Sequence, residues 1–369
     1  MNHLRGGVFF FILAMALAIP SGSTLAQEQT ETGGSALFGD TFISLTVGAQ
    51  YLNRDVVNGF GLNETNGAPL VAATNLDTGF NIDDWGGFAE LSVFVPHYSD
   101  HFGTNSLFFV LDGNLLNADA NRLFGTAGGA NNILIPFIDG NNAGAGRDTQ
   151  IANSGEQVTS STDVDNGGFG AFIGLASLPF PEPTFDKYGK TETASEHKGS
   201  YGFGLYGAFD QLQIEATFAN ITTPGPLSVI EEEVETFSFG PRAFAKRSFE
   251  LSPGVELFGT GSLAVLFSRG ELDGRQRTVG VLTTASASVS DVEEDIAFLA
   301  NLRTGINFSH NPKFLFTLFG EVEWRNDAYE IINPTFPAGA ALNANVQPAR
   351  LEQTDIFSLI LGAQIRIIF

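Results

Sequence analysis

The closing stretch of the chain, IFSLILGAQIRIIF (residues 356–369), alternates between apolar and more polar side chains and stops on a terminal aromatic residue. A period of two is typical of a β-strand, whose successive side chains point to opposite faces. One face of this strand is apolar and the other is partly polar. The apolar face carries Phe357, Leu359, Leu361, Ala363, Ile365, Ile367 and Phe369, and the other face includes Ser358, Gly362, Gln364 and Arg366. The stretch predicts a long strand that separates an apolar environment from a polar one.

The beginning of the chain has the layout of a secretory signal peptide. Arg5 supplies a positive charge, residues 8–19 form an apolar run, and residues 24–26 form a small-residue cleavage site. We expect cleavage to remove residues 1–26, and residues 27–40 to form a short periplasmic leader. An uncleaved anchor is the alternative, but the apolar run is shorter than the roughly 20 residues that a spanning helix needs.

Composition narrows the class of protein further. The chain has no Cys, 43 Gly, 35 Phe and a net charge of -23, which excludes a disulfide framework and thiol chemistry and argues against nucleic acid as a partner. After the signal segment, no stretch is long and apolar enough to span a membrane as a helix. A mature chain that lies in a bilayer must therefore form a closed barrel, because lipid offers no partner for unpaired backbone groups.

Period-2 segments separated by Gly-, Asn-, Asp- and Thr-rich stretches continue along the chain. They predict an all-β fold: a single transmembrane, antiparallel, up-and-down β-barrel over residues 41–369, with short periplasmic turns and long extracellular loops. Eleven segments are found, but two periplasmic termini require an even number, so 12 strands are preferred and 10 are the alternative. The predicted segments are residues 41–53, 87–95, 106–115, 168–177, 201–209, 212–219, 236–247, 255–268, 296–308, 314–325 and 356–369.

The strand count is least certain between residues 117 and 200, where residues 131–138 are the candidate for a missed strand. Residues 117–166 are long enough to form a plug inside the barrel, and a disordered outer loop is the alternative. Long extracellular loops are expected at residues 54–86, 270–294 and 326–355. Acidic clusters in the outer loops, such as Asp163 with Asp165 and residues 231–233, are expected to gather cations at the mouth or to be simply solvated.

Charged residues fall on one parity of these segments, and apolar residues on the other. One parity carries groups such as Ile43, Leu45 and Val47, or Leu212, Ile214 and Phe218, and is predicted to face lipid. The other parity is predicted to line the lumen, since charge on the lipid side costs roughly 2 to 4 kcal/mol at mid-bilayer for Arg or Lys. The pore-lining candidates are Glu90, Asp112, Glu215, Arg242, Lys246, Glu256, Arg303, Glu321, Glu323, Arg325 and Arg366.

These features make the mature chain resemble bacterial outer-membrane β-barrels along essentially its whole length. In that class the barrel-insertion machinery reads the final strand and its terminal aromatic residue, here Phe369. Residues 239–244, 257–267 and 318–324 are similar to segments of the pore-forming major outer membrane proteins, a porin-like family.

The resemblance implies an outer-membrane pore for passive diffusion of small hydrophilic solutes, surrounded by lipid and lipopolysaccharide. The acidic loops suggest a preference for cations. The alternative is a plugged structural or adhesin-type surface barrel that acts through its extracellular loops. We expect no enzyme activity, since no predicted strand carries a His, and no cofactor or metal site. A homo-oligomer is left open.

Overall fold

The computed structural model of the chain describes residues 42–66, 71–99, 103–125, 131–142, 149–177, 197–252, 254–311, 314–341 and 344–368. The predicted signal peptide, the leader and Phe369 lie outside the described residues. Among the described residues, no helix is both long and apolar enough to cross a membrane.

The described residues form fourteen strands. In chain order they are β1 (Phe42–Gly59), β2 (Asn63–Asn66), β3 (Val71–Asn75), β4 (Phe80–Ser99), β5 (Gly103–Gly125), β6 (Ile133–Leu134), β7 (Gln150–Ala152), β8 (Gln157–Ser177), β9 (His197–Asn220), β10 (Leu227–Ser252), β11 (Val255–Val279), β12 (Thr284–Asn311), β13 (Phe314–Ile332) and β14 (Arg350–Ile368).

Ten of these strands close into one antiparallel barrel in the order β1-β14-β13-β12-β11-β10-β9-β8-β5-β4. Closure gives every strand two neighbours, so the barrel has no open edge. The preferred count of 12 strands is therefore wrong, and the alternative of 10 is the number that the structure has. The all-β, antiparallel barrel class is confirmed.

The strand β9 explains the miscount. The sequence predicts two strands at residues 201–209 and 212–219, yet residues 197–220 form one continuous strand. Its even-numbered side chains all face inward, from Tyr206 through Asp210 to Phe218, without a change of parity. The prediction that Leu212, Ile214 and Phe218 face lipid is therefore wrong, because these side chains are buried inside the barrel.

A belt of exposed apolar side chains surrounds the outside of the barrel. Phe203 is 64% exposed, Leu263 68% and Leu361 51%, and all three lie on the outward parity of their strands. Trp85 and Trp324 are also exposed on the outer face. Exposed apolar surface of this extent on every side of a barrel is typical of a lipid-facing surface.

Several strands continue well beyond this belt at the end that the sequence predicts to be extracellular. The predicted loop at residues 270–294 is wrong, since β11 and β12 stay paired from Val255 and Phe308 out to Val279 and Thr284. Charged side chains replace the apolar ones on the outward face above Phe237 of β10 and Phe267 of β11. The barrel therefore has an extension that projects from the apolar belt.

The remaining four strands form a separate small sheet in the order β3-β2-β6-β7. Residues 131–138 are therefore not a missed barrel strand, since Ile133 and Leu134 pair with β2 and β7 of this sheet. The sheet also contacts the β13–β14 connection, where Ala72 donates its backbone N–H to Ala340 (3.0 Å). The connections β1–β4, β5–β8 and β13–β14 are thereby joined into one body.

Candidate functional site in the barrel lumen

The outer half of the lumen is filled by an apolar core. Inward-facing residues of the strands, such as Leu212 and Leu272, pack in one cluster with Ile133 and Ile151 from the loop between β5 and β8. All four are 1% exposed or less. We call this body, formed by residues 60–66, 71–79, 131–142, 149–156, 333–341 and 344–349, the plug. It occupies the mouth of the barrel at the end that the sequence predicts to be extracellular.

A layer of ion pairs lies directly below the plug. Arg54, whose side chain is fully buried, contacts Asp210 on the other side of the lumen at 2.7 Å and donates a hydrogen bond to Asn166 (2.7 Å). Arg325 approaches Asp210 and Asp327, each at 3.4 Å. These contacts connect β1, β8, β9 and β13 across the barrel, so they hold its walls together at this level.

A hydrogen-bonded network follows next, on the side away from the plug. Arg303 binds two carboxylates at once, with 2.6 Å from Nη2 to Glu90 Oε2 and 2.6 Å from Nε to Glu321 Oε2. Asn301 donates to the other oxygen of Glu321 (2.7 Å), and Thr46 donates to Glu90 (3.2 Å). The network pairs these buried carboxylates with a cation, which offsets part of their desolvation.

A cavity of about 220 Å³ remains beside this network, and we call it the chamber. Its lining contains charged residues of both signs together with Tyr206 and several phenylalanines. The charged residues are Glu90, Asp112, Asp210, Arg242, Lys246, Arg303, Glu321, Glu323, Arg325 and Arg366.

Nine of the eleven predicted pore-lining residues lie in the wall of the chamber. Glu256 lies nearby and accepts a hydrogen bond from Asn307 (3.2 Å), which itself lines the chamber. Glu215 lies on the outward parity of β9, opposite Glu231 of β10. The sequence predicts a new strand from residue 212 with Leu212 on the lipid side, which places Glu215 on the lumen side. In the continuous strand β9 the two sides are the other way round. Whether any of these residues lines a conducting path stays a prediction.

Sequence reasoning missed Arg54, Asp210 and Glu232. Arg54 lies just beyond the predicted strand 41–53, and Asp210 lies between the predicted strands 201–209 and 212–219, so neither residue was a lumen candidate. The inward parity of both strands continues unbroken through these positions, so that parity was the signal that could have found them. Glu232 was assigned to an exposed acidic cluster, but it is 2% exposed and accepts a hydrogen bond from Asn333 of the plug (3.1 Å).

Acidic side chains form a row on the outward face of the extension. Asp119, Asp163, Glu215 and Glu231 are direct cross-strand neighbours, and Arg275 follows on β11. Like charges directly opposite one another destabilise a sheet unless solvent screens them. Within the described ranges, no group of three or more His, Asp or Glu side chains is arranged to hold a metal ion.

No family model matches the chain. No curated protein matches it either. Among solved structures, it is similar to the outer membrane protease OmpT from Escherichia coli, with a TM-score of 0.40 and 9% identity over 92% of this chain and 100% of that one.

It is also similar to a Pseudomonas aeruginosa FadL homologue (TM-score 0.20, 8% identity, 89% of this chain and 90% of that one). The attachment invasion locus protein Ail of Yersinia pestis is a third (TM-score 0.21, 11% identity, 89% of this chain and 99% of that one). Similarities of this size carry no argument about function. The expectation of a barrel without enzyme activity therefore stays a prediction.

Proposed function

We propose that the protein is a bacterial outer-membrane barrel whose outer mouth is closed by its own loops, and that it acts at the cell surface through the extension. The observation that carries this proposal is the apolar core that joins the plug to the barrel wall. The belt of exposed apolar side chains supports the membrane location, since such a surface is stable only in lipid or against a partner.

Closure is supported by the nature of the contacts in the outer half of the lumen. Water does not pass through a core whose side chains are almost completely buried, because such a core packs at the density of a protein interior. The ion pairs of Arg54 and Arg325 with Asp210 connect the barrel walls below this core. A permanently open porin needs a continuous aqueous path, whereas here a buried apolar core lies in the outer half of the lumen.

Planar-bilayer recording tests closure. The wild-type protein should insert without conductance steps, whereas a variant with residues 131–152, which include Ile133 and Ile151 of the apolar core, replaced by a short Gly-Ser linker should show them. Both proteins must first show the heat-dependent shift in electrophoretic mobility that a folded barrel gives. Regular conductance steps from the wild-type protein would overturn the proposal.

Labelling of intact cells tests the surface location. The chain has no native cysteine, so a Ser290→Cys variant places a single thiol on the exposed end of β12. A membrane-impermeant maleimide should label this thiol in intact cells. Labelling only after the outer membrane is permeabilised would contradict the proposed orientation.

A gated pore for small hydrophilic solutes is the second candidate, and the chamber is the observation that favours it. The chamber shows that the lumen below the plug is not completely filled, so a displaced plug would open a charged passage. The plug-replacement variant allows its selectivity to be measured. Reversal potentials in a salt gradient should show a preference for cations, and a preference for anions would contradict the contribution assigned to the acidic extension.

A further inference from the structure

Across the chamber from the Arg303 network, the wall is formed by residues of β5, β8 and β9. At this level β8 contributes Gly168 and Gly170, and side chains of β5 and β9 lie over these two glycines. We call this part of the wall the recess. A Cβ on Gly170 would lie 2.7 Å from the Tyr206 hydroxyl and 2.9 Å from both oxygens of Asp112. The recess therefore brings a hydroxyl and a carboxylate to one point on the wall.

These groups have no partners within the described part of the protein. The carboxylate of Asp112 makes no hydrogen bond or ion pair with the described residues, in contrast to Glu90 and Glu321. The hydroxyl of Tyr206 also makes none, although Tyr206 is only 5% exposed. Both groups are thus available to a molecule in the chamber.

A cation lies on the other side of the Tyr206 ring. The guanidinium carbon of Arg242 is 5.0 Å from the centre of that ring and 5.1 Å from the centre of the Phe172 ring. Its Nε and Nη2 atoms donate to Ser262 (3.1 and 2.9 Å). These are the only hydrogen bonds of Arg242 with the described residues, so the Nη1 group is left for an acceptor. The two aromatic faces fix the plane of the guanidinium.

We propose that this recess binds a small zwitterion, with its ammonium group at Asp112 and Tyr206 and its carboxylate at Arg242. A zwitterion can contact both groups at once with a charge of the opposite sign, whereas an ion of one sign can do so with only one of them. Unpaired charges out of bulk water are costly, so a ligand that compensates both gains the most.

The chamber has room for a small ligand. Its volume of about 220 Å³ is enough for a small α-amino acid such as L-serine or L-alanine. The site depends only on the lumen wall, so the proposal holds whether the barrel is permanently closed or gated.

Calorimetric titration of the folded full-length protein in detergent at low ionic strength tests the proposal. L-serine should bind, while acetate and methylammonium, which each carry one of its charges, should bind at least about tenfold more weakly. Glycerol, which is neutral, should not compete. Equal affinity for acetate and L-serine would reduce the site to an anion site and overturn the proposal, as would the absence of any binding at millimolar L-serine.

Variants locate the site. Asp112→Asn and Arg242→Gln should each weaken L-serine binding at least about tenfold, because each removes one charge-assisted contact. Glu215→Gln, on the outside of the barrel, is the matched control and should bind L-serine as the wild-type protein does. If both lumen variants also bind as the wild-type protein does, the proposal is wrong. If a variant fails to fold, the comparison of the three ligands on the wild-type protein still decides.

Discussion

Glu232 should make the closure of the barrel depend on pH. It lies above the lipid-facing belt, and its Oε2 atom accepts a hydrogen bond from Asn333. Its Oε1 atom and the Oδ1 atom of Asn333 are both buried without a hydrogen-bond partner. Both atoms are acceptors, so a proton on Glu232 that is donated to Asn333 would satisfy the two together. The closed state should therefore favour protonated Glu232.

The magnitude follows from the pKa of this group. Burial raises the pKa of Glu232 from 4.5 to about 7, against the opposing effect of the hydrogen bond from Asn333. Along the neighbouring strands, the inward-facing charged side chain closest in register is Asp291, which accepts a hydrogen bond from the backbone N–H of Leu351 (2.8 Å). Because Asp291 is also an acid, it provides no positive charge for Glu232. The difference from an exposed carboxyl corresponds to roughly 3 kcal/mol.

The sign of the effect follows from the raised pKa. The closed state binds the proton more tightly than an open state in which Glu232 reaches water. Its extra stabilisation is therefore fully present below about pH 4.5 and is lost as the pH rises through about 7. Acidification should keep the plug closed, and mildly alkaline conditions should release it. Glu232→Gln keeps the shape of the side chain and removes the titration.

Thiol labelling measures this opening, because the chain has no native cysteine. Ala349→Cys places a thiol at a position of the plug that is 2% exposed, and the exposed Ser290→Cys corrects for the pH dependence of the reagent. When the plug closes faster than the thiol is labelled, the ratio of the labelling rate at position 349 to that at position 290 is proportional to the opening equilibrium constant.

Between pH 5 and pH 8 this ratio should rise on the order of 50- to 100-fold with native Glu232. It should stay nearly flat with Glu232→Gln. Glu231→Gln, an outward neighbour on β10, is the matched control and should keep the native pH dependence. A flat ratio with native Glu232, or the same rise in the Glu232→Gln background, would refute the reasoning.

Three further predictions concern the lumen and the plug. Arg303→Ala leaves two buried carboxylates without their cation and should lower the free energy of unfolding in detergent by about 3 kcal/mol. This is the low end for a broken buried ion pair, because the Arg303 side chain is a fifth exposed. An unchanged denaturant midpoint would contradict the importance of the Arg303 network. Gly61→Ala should open the plug and speed labelling of the buried thiol, because a Cβ at Gly61, where φ is +64°, would lie 1.8 Å from a backbone oxygen of the plug. Gly155→Ala is the control: φ is +82° there, but an added Cβ would have no atom within 4 Å, so the variant should cost only about 1 kcal/mol of backbone strain. Equal labelling rates in the Gly61→Ala and Gly155→Ala variants would show that the close contact at Gly61 does not matter. Leu212→Arg should prevent folding or lower the free energy of unfolding by more than about 4 kcal/mol, because it buries a charge in the apolar core. Glu215→Arg, on the outer face, should change it by less than about 0.5 kcal/mol. If thermal unfolding ranks the two variants in the opposite order, the lipid-facing assignment of Leu212 would be correct after all.

The alternation of the closing strand determined much of this protein by itself. Its two faces, when extended to the other segments, predicted a closed antiparallel barrel, an apolar exterior and a charged lumen. They also placed residues such as Arg303 and Glu321 on the inner wall. These properties follow from the sequence because the side-chain direction in a strand has a strict local period of two.

Only the tertiary structure decided what fills the lumen. Apolar residues such as Leu212 look the same in sequence whether they face lipid or an apolar core, and the core exists because distant loops fold inward to meet them. The same dependence on distant segments hid the continuity of β9 and the pairing of Arg54 with Asp210, since a chain position cannot show which opposite wall it reaches. Parity is a local property, whereas closure of the mouth is a contact between segments far apart in the chain.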